Sequence, residues 1–409
     1  MDTPTLPFDD LKIIHATECL AAGTLTFLVQ ATRELADSGV RQSLVFARRP
    51  DTPAAVEALF DPRVELVEIA APRGLHLGFL RNLRHALLQQ MQDAGHAVVH
   101  LHSSKAGFLG RLALLGLRDR PASFYSPHGL SFLNRHQRLR SAVFRTLEWL
   151  AARIDTTLVG CSRSEAALLG RIGGRPARVL ENAVDDSFFA VRRREDAPAL
   201  VLSIGRVCFQ KAPERFAALA TRFLIAEMPA RFVWVGAGDA EGEACLRAAG
   251  VEVTGWVGRD EVQRLLGMAS VYVQTSRWEG MPLSVLQALA AGVPCVVNDA
   301  VGNRDAVRQG MTGFVTSSLD EMLMAVRRLL HDDTLRRRLS ISARRDAVER
   351  FSSASFRTRL CRLYGLPLHG AQATLPVPDN LLRFPSAAAA ATGSAVATPA
   401  PSGSAGGAG

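Results

Sequence analysis

Residues 271–298 read VYVQTSRWEGMPLSVLQALAAGVPCVVN. The opening VYVQ (271–274) is short and mostly apolar, as in a strand buried on both faces of a parallel sheet. Pro282 suits the first turn of a helix, where its missing N–H costs nothing. The helical stretch 282–291 leads at once into PCVVN (294–298), a second strand of the same kind. Strand, helix and strand in so short a span make a βαβ unit. Outward from it the pattern repeats. Further candidate strands are LKIIH (11–15), SLVFA (43–47), VELVEI (64–69), AVVHL (97–101), ASFYS (122–126), TLVG (157–160), ALVLSI (199–204), RFVWVG (231–236) and VEVT (251–254). Helical patterns lie between them, at 24–38, 75–93, 105–117 and 213–227. The fold expected is α/β, with open parallel sheets.

The rhythm breaks at 182–198, NAVDDSFFAVRRREDAP, which is polar, charged and closed by Pro198. It reads as a linker between two α/β domains, residues 1–190 and 196–350. In such sheets ligands bind outside the carboxyl ends of the strands. Two sheets facing each other would make a cleft, a common place for a site. The end of the chain, 370–409, is mostly Ala, Ser, Pro, Gly and Thr. It is expected to be disordered, because it has too little apolar surface to offset its chain entropy.

The 409 residues carry 48 basic and 39 acidic side chains, a net charge of +9. Almost all of the basic excess is arginine, since Lys12, Lys105 and Lys211 are the lysines. Such a charge suits phosphorylated substrates, an anionic membrane surface or nucleic acid, and equally a codon bias. Nothing interleaves aromatic and basic residues as a single-strand nucleic-acid groove does, so no nucleic-acid partner is expected. No apolar run reaches the roughly 18 residues of a membrane span. The start, Met1–Asp10, lacks the shape of a signal peptide. The six cysteines are scattered without a C-x-x-C pair, which points to free thiols rather than disulfides or zinc.

Several residues at strand ends carry candidate chemistry. Arg206 and Lys211 flank the loop after 199–204, and Pro213 opens the next helix. A guanidinium fork, a compact ammonium and a helix N-terminus together suit a diphosphate; two surface cations are the alternative. Glu279 stands between strand 271–274 and the helix at Pro282. It suits either the hydroxyls of a sugar or the capping of that helix. His102 and His128 follow strands 97–101 and 122–126. A satisfied structural histidine is the preferred reading of His102. His128, between Pro127 and Gly129, reads equally as structural or as a group facing the cleft. The loop after the first strand holds Gly23 alone, so the G-x-G-x-x-G dinucleotide fingerprint is missing. Neither a P-loop nor an Asp-x-Asp pair occurs, so no metal site is signalled. From Leu130 to Ile154 apolar residues recur at helical spacing, with Arg135, His136, Arg138, Arg140 and Arg145 near the start. Such a stretch suits anionic lipid headgroups or an ordinary packed helix with a solvated basic end.

The second half of the chain resembles the retaining glycosyltransferases of family 4, group 1 type, which have the GT-B fold. The likeness rests on G-R-x4-K (Gly205, Arg206, Lys211), V-G-A-G-D (235–239), G-W-V (255–257), SRWEGMPLSVLQALAAGVPCV (276–296) and GNRDAVRQGMTGFV (302–315). The first half is similar through HLHSSKAG (100–107), P-H-G (127–129) and ENAVD (181–185). The resemblance implies two Rossmann-like domains facing each other across a cleft, an acceptor-binding first domain and a nucleotide-sugar-binding second one. It also implies a last helix, in 351–368, that crosses back to the first domain.

By the same resemblance, Arg206 and Lys211 bind the donor diphosphate and stabilise the leaving nucleotide in place of a metal. Glu279 holds the donor sugar, and Gln287 grips the ribose where the family has a second Glu. His128 sits beside the sugar, and Gly23 lets the first loop approach the diphosphate. Gly205, Gly255, Val257, Gly280, Met281, Pro282 and Leu283 complete the donor site. The catalytic set is His128, Glu279, Arg206 and Lys211. There are three departures: Gln287, Ala212 where Gly is usual, and one glycine instead of two in the first loop. The reaction implied is transfer of a sugar, with retention, from a nucleotide-diphosphate-sugar to a saccharide or lipid-linked acceptor in surface polysaccharide biosynthesis. No cofactor is needed beyond the donor itself. The enzyme would be cytoplasmic, with peripheral contact to an anionic membrane. The alternatives are a catalytically degenerate sugar- or lipid-binding member and a GT-B-fold nucleotide-sugar epimerase.

Overall fold

A computed structural model describes residues 10–70, 77–133, 138–194 and 198–367. The segment 370–409, and Arg135 and His136 of the basic stretch, lie outside the described residues.

The strands are β1 (Leu11–Thr17), β2 (Arg41–Phe46), β3 (Val64–Glu68), β4 (His96–His102), β5 (Ala122–Ser126), β6 (Thr157–Gly160), β7 (Arg178–Val179), β8 (Leu200–Ile204), β9 (Arg231–Val235), β10 (Glu252–Val253), β11 (Val271–Gln274), β12 (Cys295–Asn298) and β13 (Gly313–Thr316). The helices are α1 (Ala22–Asp37), α2 (Leu77–Gln92), α3 (Ser104–Ala113), α4 (Arg138–Ala151), α5 (Arg163–Gly173), α6 (Pro213–Ile225), α7 (Ala240–Ala248), α8 (Arg259–Met268), α9 (Leu283–Ala290), α10 (Asn303–Ala306), α11 (Leu319–His331), α12 (Asp333–Phe351) and α13 (Ser353–Tyr364).

Two parallel sheets result. The first runs β3-β2-β1-β4-β5-β6-β7 and the second β10-β9-β8-β11-β12-β13. Their central strands are buried on both faces, which explains their mostly apolar sequences. Ile13 and Ile14 are neighbours in β1 and both fully buried, yet they point into different apolar clusters. In each sheet the strand order reverses once, between β1 and β4 and between β8 and β11. These reversal points open crevices at the carboxyl ends of the strands.

The start of the 182–198 segment is packed rather than simply solvated. Its turn of 3-10 helix, Asp186–Ala190, buries Phe188 and Phe189 among Leu200, Tyr272 and Leu286. The two phenylalanines outweigh the charges around them, because about 2 kcal/mol of apolar burial attends each large side chain. The helix α13 packs on α1 and the first sheet. Phe356, Leu360 and Tyr364 join the cluster of Phe27 and Leu35, and Arg357 donates to Glu34 at 2.7 Å.

Candidate functional site

The loop after β8 is shaped by two unusual backbone positions. Gly205 has φ +154, and a Cβ there would stand 2.9 Å from Cε of Lys211, so the lysine stem lies directly over the glycine. Ala212 caps α6 at φ +54, with Pro213 at the first helical position. A left-handed alanine is strained by about 1 kcal/mol, the reason glycine suits this place better. The loop is braced from the residue after β11, where the Thr275 hydroxyl donates to the carbonyls of Lys211 and Ala212 at 2.8 and 3.1 Å. Arg206 is exposed and makes no hydrogen bond or ion pair within the described residues.

Glu279 lies across the reversal point from that loop. Its Oε1 accepts from Lys211 Nζ at 2.8 Å, Ser276 Oγ at 2.7 Å and Gln274 Nε2 at 3.0 Å. Its Oε2 accepts from Gln210 Nε2 at 3.3 Å. The carboxylate does not cap α9, whose N-cap is Pro282 and whose first turn holds no acid. The capping alternative for Glu279 therefore falls away. Its side chain is 10% exposed and that of Lys211 18%, so the pair sits at the edge of the interior.

The first domain meets this loop through the Pro127–His128–Gly129 turn. A Cβ on Gly280 would lie 2.9 Å from the Gly129 nitrogen and 3.1 Å from the His128 carbonyl carbon. Only glycine lets the two backbones approach so closely. The turn holds His128 at φ +54. Glu165 ties it down, accepting from Gly129 N at 2.8 Å and Cys161 N at 2.7 Å. Burial pushes the Glu165 carboxyl up to about 7, against those two N–H groups. The His128 ring turns inward: Nε2 meets His102 Nδ1 at 2.9 Å, and Nδ1 meets Cys161 Sγ at 3.2 Å. Burial holds its pKa down at about 3, so the ring is neutral.

The remaining candidates spread along the cleft. Val257, Leu283 and Gln287 of the second domain line a cavity of about 750 Å³ with Leu25, Thr26 and Val29 of α1. Met281 is buried, and its carbonyl accepts from Asn182 at 3.1 Å. Gly255, φ +73, accepts from Gly236 N at 2.9 Å beside the loop of Gly205. Gly23 differs from expectation. It lies exposed in the first turn of α1 rather than in a free loop, because the helix begins at Ala22.

The imidazoles of His15, His100 and His102 offer nitrogens within 4.8 Å of one another, a spacing that admits a metal ion. Every ring nitrogen of the three except His15 Nε2 is already hydrogen-bonded, His100 to Tyr364 and Ser126. Five of the six ring nitrogens are therefore engaged within the protein, which leaves too few free donors for an ion, and the group fits an internal hydrogen-bond network better.

The sequence reading missed Gln210, Gln274, Ser276 and Thr275, which hold Glu279 and the cationic loop. Gln274 and Ser276 alternate at the end of β11, a period-2 signal that places them on one face. It also missed Glu165, although Ser162-x-x-Glu165 has the sequence signature of a capping box, of which the half with Ser162 Oγ accepting from Glu165 N at 3.2 Å is formed while the carboxylate turns to Cys161 and Gly129. No helix among the described residues is long and apolar enough to cross a membrane.

The family described as glycosyl transferases group 1 matches residues 198–332, and the glycosyl transferase 4-like domain matches residues 22–183. The UDP-Gal:alpha-D-GlcNAc-diphosphoundecaprenol alpha-1,3-galactosyltransferase of Escherichia coli is 27% identical, over 61% of this chain and 70% of its own length. The N,N'-diacetylbacillosaminyl-diphospho-undecaprenol alpha-1,3-N-acetylgalactosaminyltransferase of Campylobacter jejuni is 31% identical, over 38% of this chain and 41% of its own length. A solved sucrose-phosphate synthase from Thermosynechococcus elongatus superposes with a TM-score of 0.74 at 18% identity, covering 87% of this chain and 98% of that one. That likeness shows the fold.

Proposed function

We propose that this chain, which belongs to the group 1 glycosyltransferases and has the GT-B fold, moves a sugar from a nucleotide-diphosphate-sugar to a hydroxyl of a saccharide or lipid-linked acceptor in surface polysaccharide synthesis. The bond from the anomeric carbon to the diphosphate oxygen breaks. A new bond to the acceptor oxygen forms on the same face, and the acceptor proton passes to the leaving diphosphate. Arg206 and Lys211 take up the charge that grows on that diphosphate. They do so without a metal or other cofactor. Glu279 accepts hydrogen bonds from the sugar hydroxyls and keeps the anomeric carbon in place. His128 and Gly129 close the sugar's side of the cleft from the first domain. Gln287, with Val257 and Leu283, takes the nucleoside end, where a glutamine oxygen accepts a ribose hydroxyl's hydrogen bond. Gly205, Gly255, Gly280, Met281 and Pro282 shape the loops of the donor site, and Gly23 stands at the start of α1 where the diphosphate meets the first domain.

The observation that supports this reading is the meeting of Lys211 and Glu279 at the β8/β11 reversal point, with unpaired Arg206 beside them. The E. coli relative is named for a UDP-sugar donor and a diphosphoundecaprenol acceptor, which favours a lipid-linked acceptor. Helix α4 favours the same: Leu139 is 82% exposed, with Val143, Trp149 and Leu150 also outside and Arg140 and Arg145 among them. Such a surface suits the cytoplasmic leaflet of an anionic membrane. The test is incubation with a panel of UDP- and GDP-sugars and lipid-linked acceptors. Release of nucleoside diphosphate together with an acceptor product of retained anomeric configuration supports the reading. Turnover that yields an isomerised nucleotide sugar, with no diphosphate released, overturns it.

A further inference from the structure

Three buried histidines, His15, His100 and His102, lie together with the half-buried His128 under the donor side of the first sheet, and the reaction proposed above uses His128. His15 and His100 are register partners on β1 and β4, and His100 and His102 alternate along β4, so all three share one face. A continuous chain runs from His15 Nδ1 to His102 Nε2 at 3.0 Å, from His102 Nδ1 to His128 Nε2 at 2.9 Å, and from His128 Nδ1 to Cys161 Sγ at 3.2 Å. The His102 and His128 rings stack at 5.1 Å, and Phe27 covers His128 at 4.6 Å. Neutral imidazole has one N–H and one bare nitrogen. Each link holds one proton, so the three rings share one tautomer: all Nδ1–H or all Nε2–H. His15 Nε2 has no partner. A buried N–H without an acceptor is the costlier orphan, which selects Nδ1–H throughout.

We propose that His102, backed by His15 and opposed by Cys161, is a positioning residue that fixes the Pro127–His128–Gly129 turn against Gly280 and so sets the first-domain wall of the donor-sugar site. The turn is strained at His128, and relaxation of a strained turn moves the backbone that touches Gly280. The diphosphate contacts of Arg206 and Lys211 and the nucleoside contact of Gln287 belong to the second domain and stay in place. This inference rests on the reading of the turn as part of the donor site.

The experiment compares His102→Leu, His102→Asn and His100→Asn with wild type in donor kinetics and thermal unfolding. His102→Leu lowers kcat by about tenfold or more with donor KM within about threefold, the size of a small misplacement at the reacting carbon. His102→Asn puts an amide near the place of Nδ1, keeps a partner for His128, and recovers most of kcat. His100 is equally buried, but it bonds to Tyr364 and Ser126 outside the chain; His100→Asn lowers Tm and leaves kcat unchanged. Wild-type kcat in His102→Leu, or an equal loss in His100→Asn, overturns the proposal. Where His102→Leu fails to fold, Cys161→Ala removes the opposite anchor and gives the same kcat loss; its absence overturns the proposal too. Nitrogen-15 NMR of the histidines finds one shared tautomer if the chain is continuous, and mixed tautomers refute it. Should Gly129→Ala and His128→Ala both keep full activity, the reading of the turn itself fails, a result distinct from failure of His102 alone.

Discussion

Lys211 Nζ donates to Glu279 Oε1 at 2.8 Å, across the adjacent carboxyl ends of β8 and β11. The cation proposed for the diphosphate and the acid proposed for the sugar thus neutralise each other when no donor is present. Neither charge stands alone at a half-buried site, where an unpaired ion is expensive. On the proposed reading, a donor carrying both a diphosphate and a hydroxyl-rich sugar would supply each with a new partner at once, favouring the intact nucleotide sugar over either fragment.

Arg206→Ala is expected to lower kcat/KM by about 10²–10³-fold, the effect of removing one charge-stabilising donor. Its side chain has no partner among the described residues, so Tm should stay within a degree or two of wild type. Steady-state kinetics and thermal unfolding on one preparation check both halves.

A double-mutant cycle tests the Lys211–Glu279 pair. Lys211→Met and Glu279→Gln each leave one partner of a largely buried ion pair. Each should destabilise the fold, and the double variant should be more stable than the sum of the two predicts. A coupling on the order of 1–3 kcal/mol in urea unfolding is expected. All three variants should lose transfer activity.

Gly280→Ala forces a methyl group to within 2.9 Å of the Gly129 nitrogen. Both neighbours are backbone, so the turn or the Glu279 loop must shift. A loss of about 1–3 kcal/mol in stability is expected, with a fall in kcat larger than the change in nucleoside diphosphate affinity. Calorimetric titration with UDP and GDP separates the two effects.

Gln287→Glu is expected to tighten nucleoside diphosphate binding about fivefold, because a carboxylate accepts a ribose hydroxyl's bond roughly 1 kcal/mol more strongly than an amide. Gln287 already lines the cleft beside Val257 and Leu283, so the charge arrives in a partly open place. Weaker binding in the variant would show that the ribose lies elsewhere.

Stability should fall steeply on acidification. Burial holds His15 at about 4 and His128 at about 3, and pushes His100 and His102 well below the ordinary 6.5. The unfolded chain takes up those protons first, so the stability tied to the neutral rings is intact above pH 6.5 and drains away below it. Glu165 acts in the opposite sense. Its carboxyl, raised from 4.5 to about 7, keeps its proton in the folded state while the unfolded carboxyl loses it, so its burial costs stability progressively from about pH 4.5 to about 7 and in full above that. Four histidines outweigh one glutamate. Near pH 5 unfolding should take up about three protons net, each worth about 1.4 kcal/mol per pH unit. Urea titrations at half-unit steps from pH 7 to 5 measure that slope.

The alternation of short apolar strands with helices was readable because a parallel strand buried on both faces favours apolar side chains at most of its positions. Ile13–Ile14 and Val271–Val273 therefore announced the fold by themselves. Arg206, Lys211 and Glu279 were readable for a related reason: each stands within a few residues of a strand's carboxyl end, and the strand carries it to the site. What the chain order did not contain was who faces whom. The bond from Lys211 to Glu279 joins residues 68 positions apart, and the partners that Glu279 takes in place of the α9 N-terminus, Ser276, Gln274 and Gln210, appear only once the strand ends are brought together. His102 read as an ordinary structural histidine until the register of β1 against β4 set His15 behind it and the turn at Pro127 set His128 in front. Sequence determines local conformation because neighbours in the chain share a backbone. Tertiary structure decides the partners of polar groups, because a hydrogen bond depends on distances of about 3 Å between atoms that the chain may keep far apart.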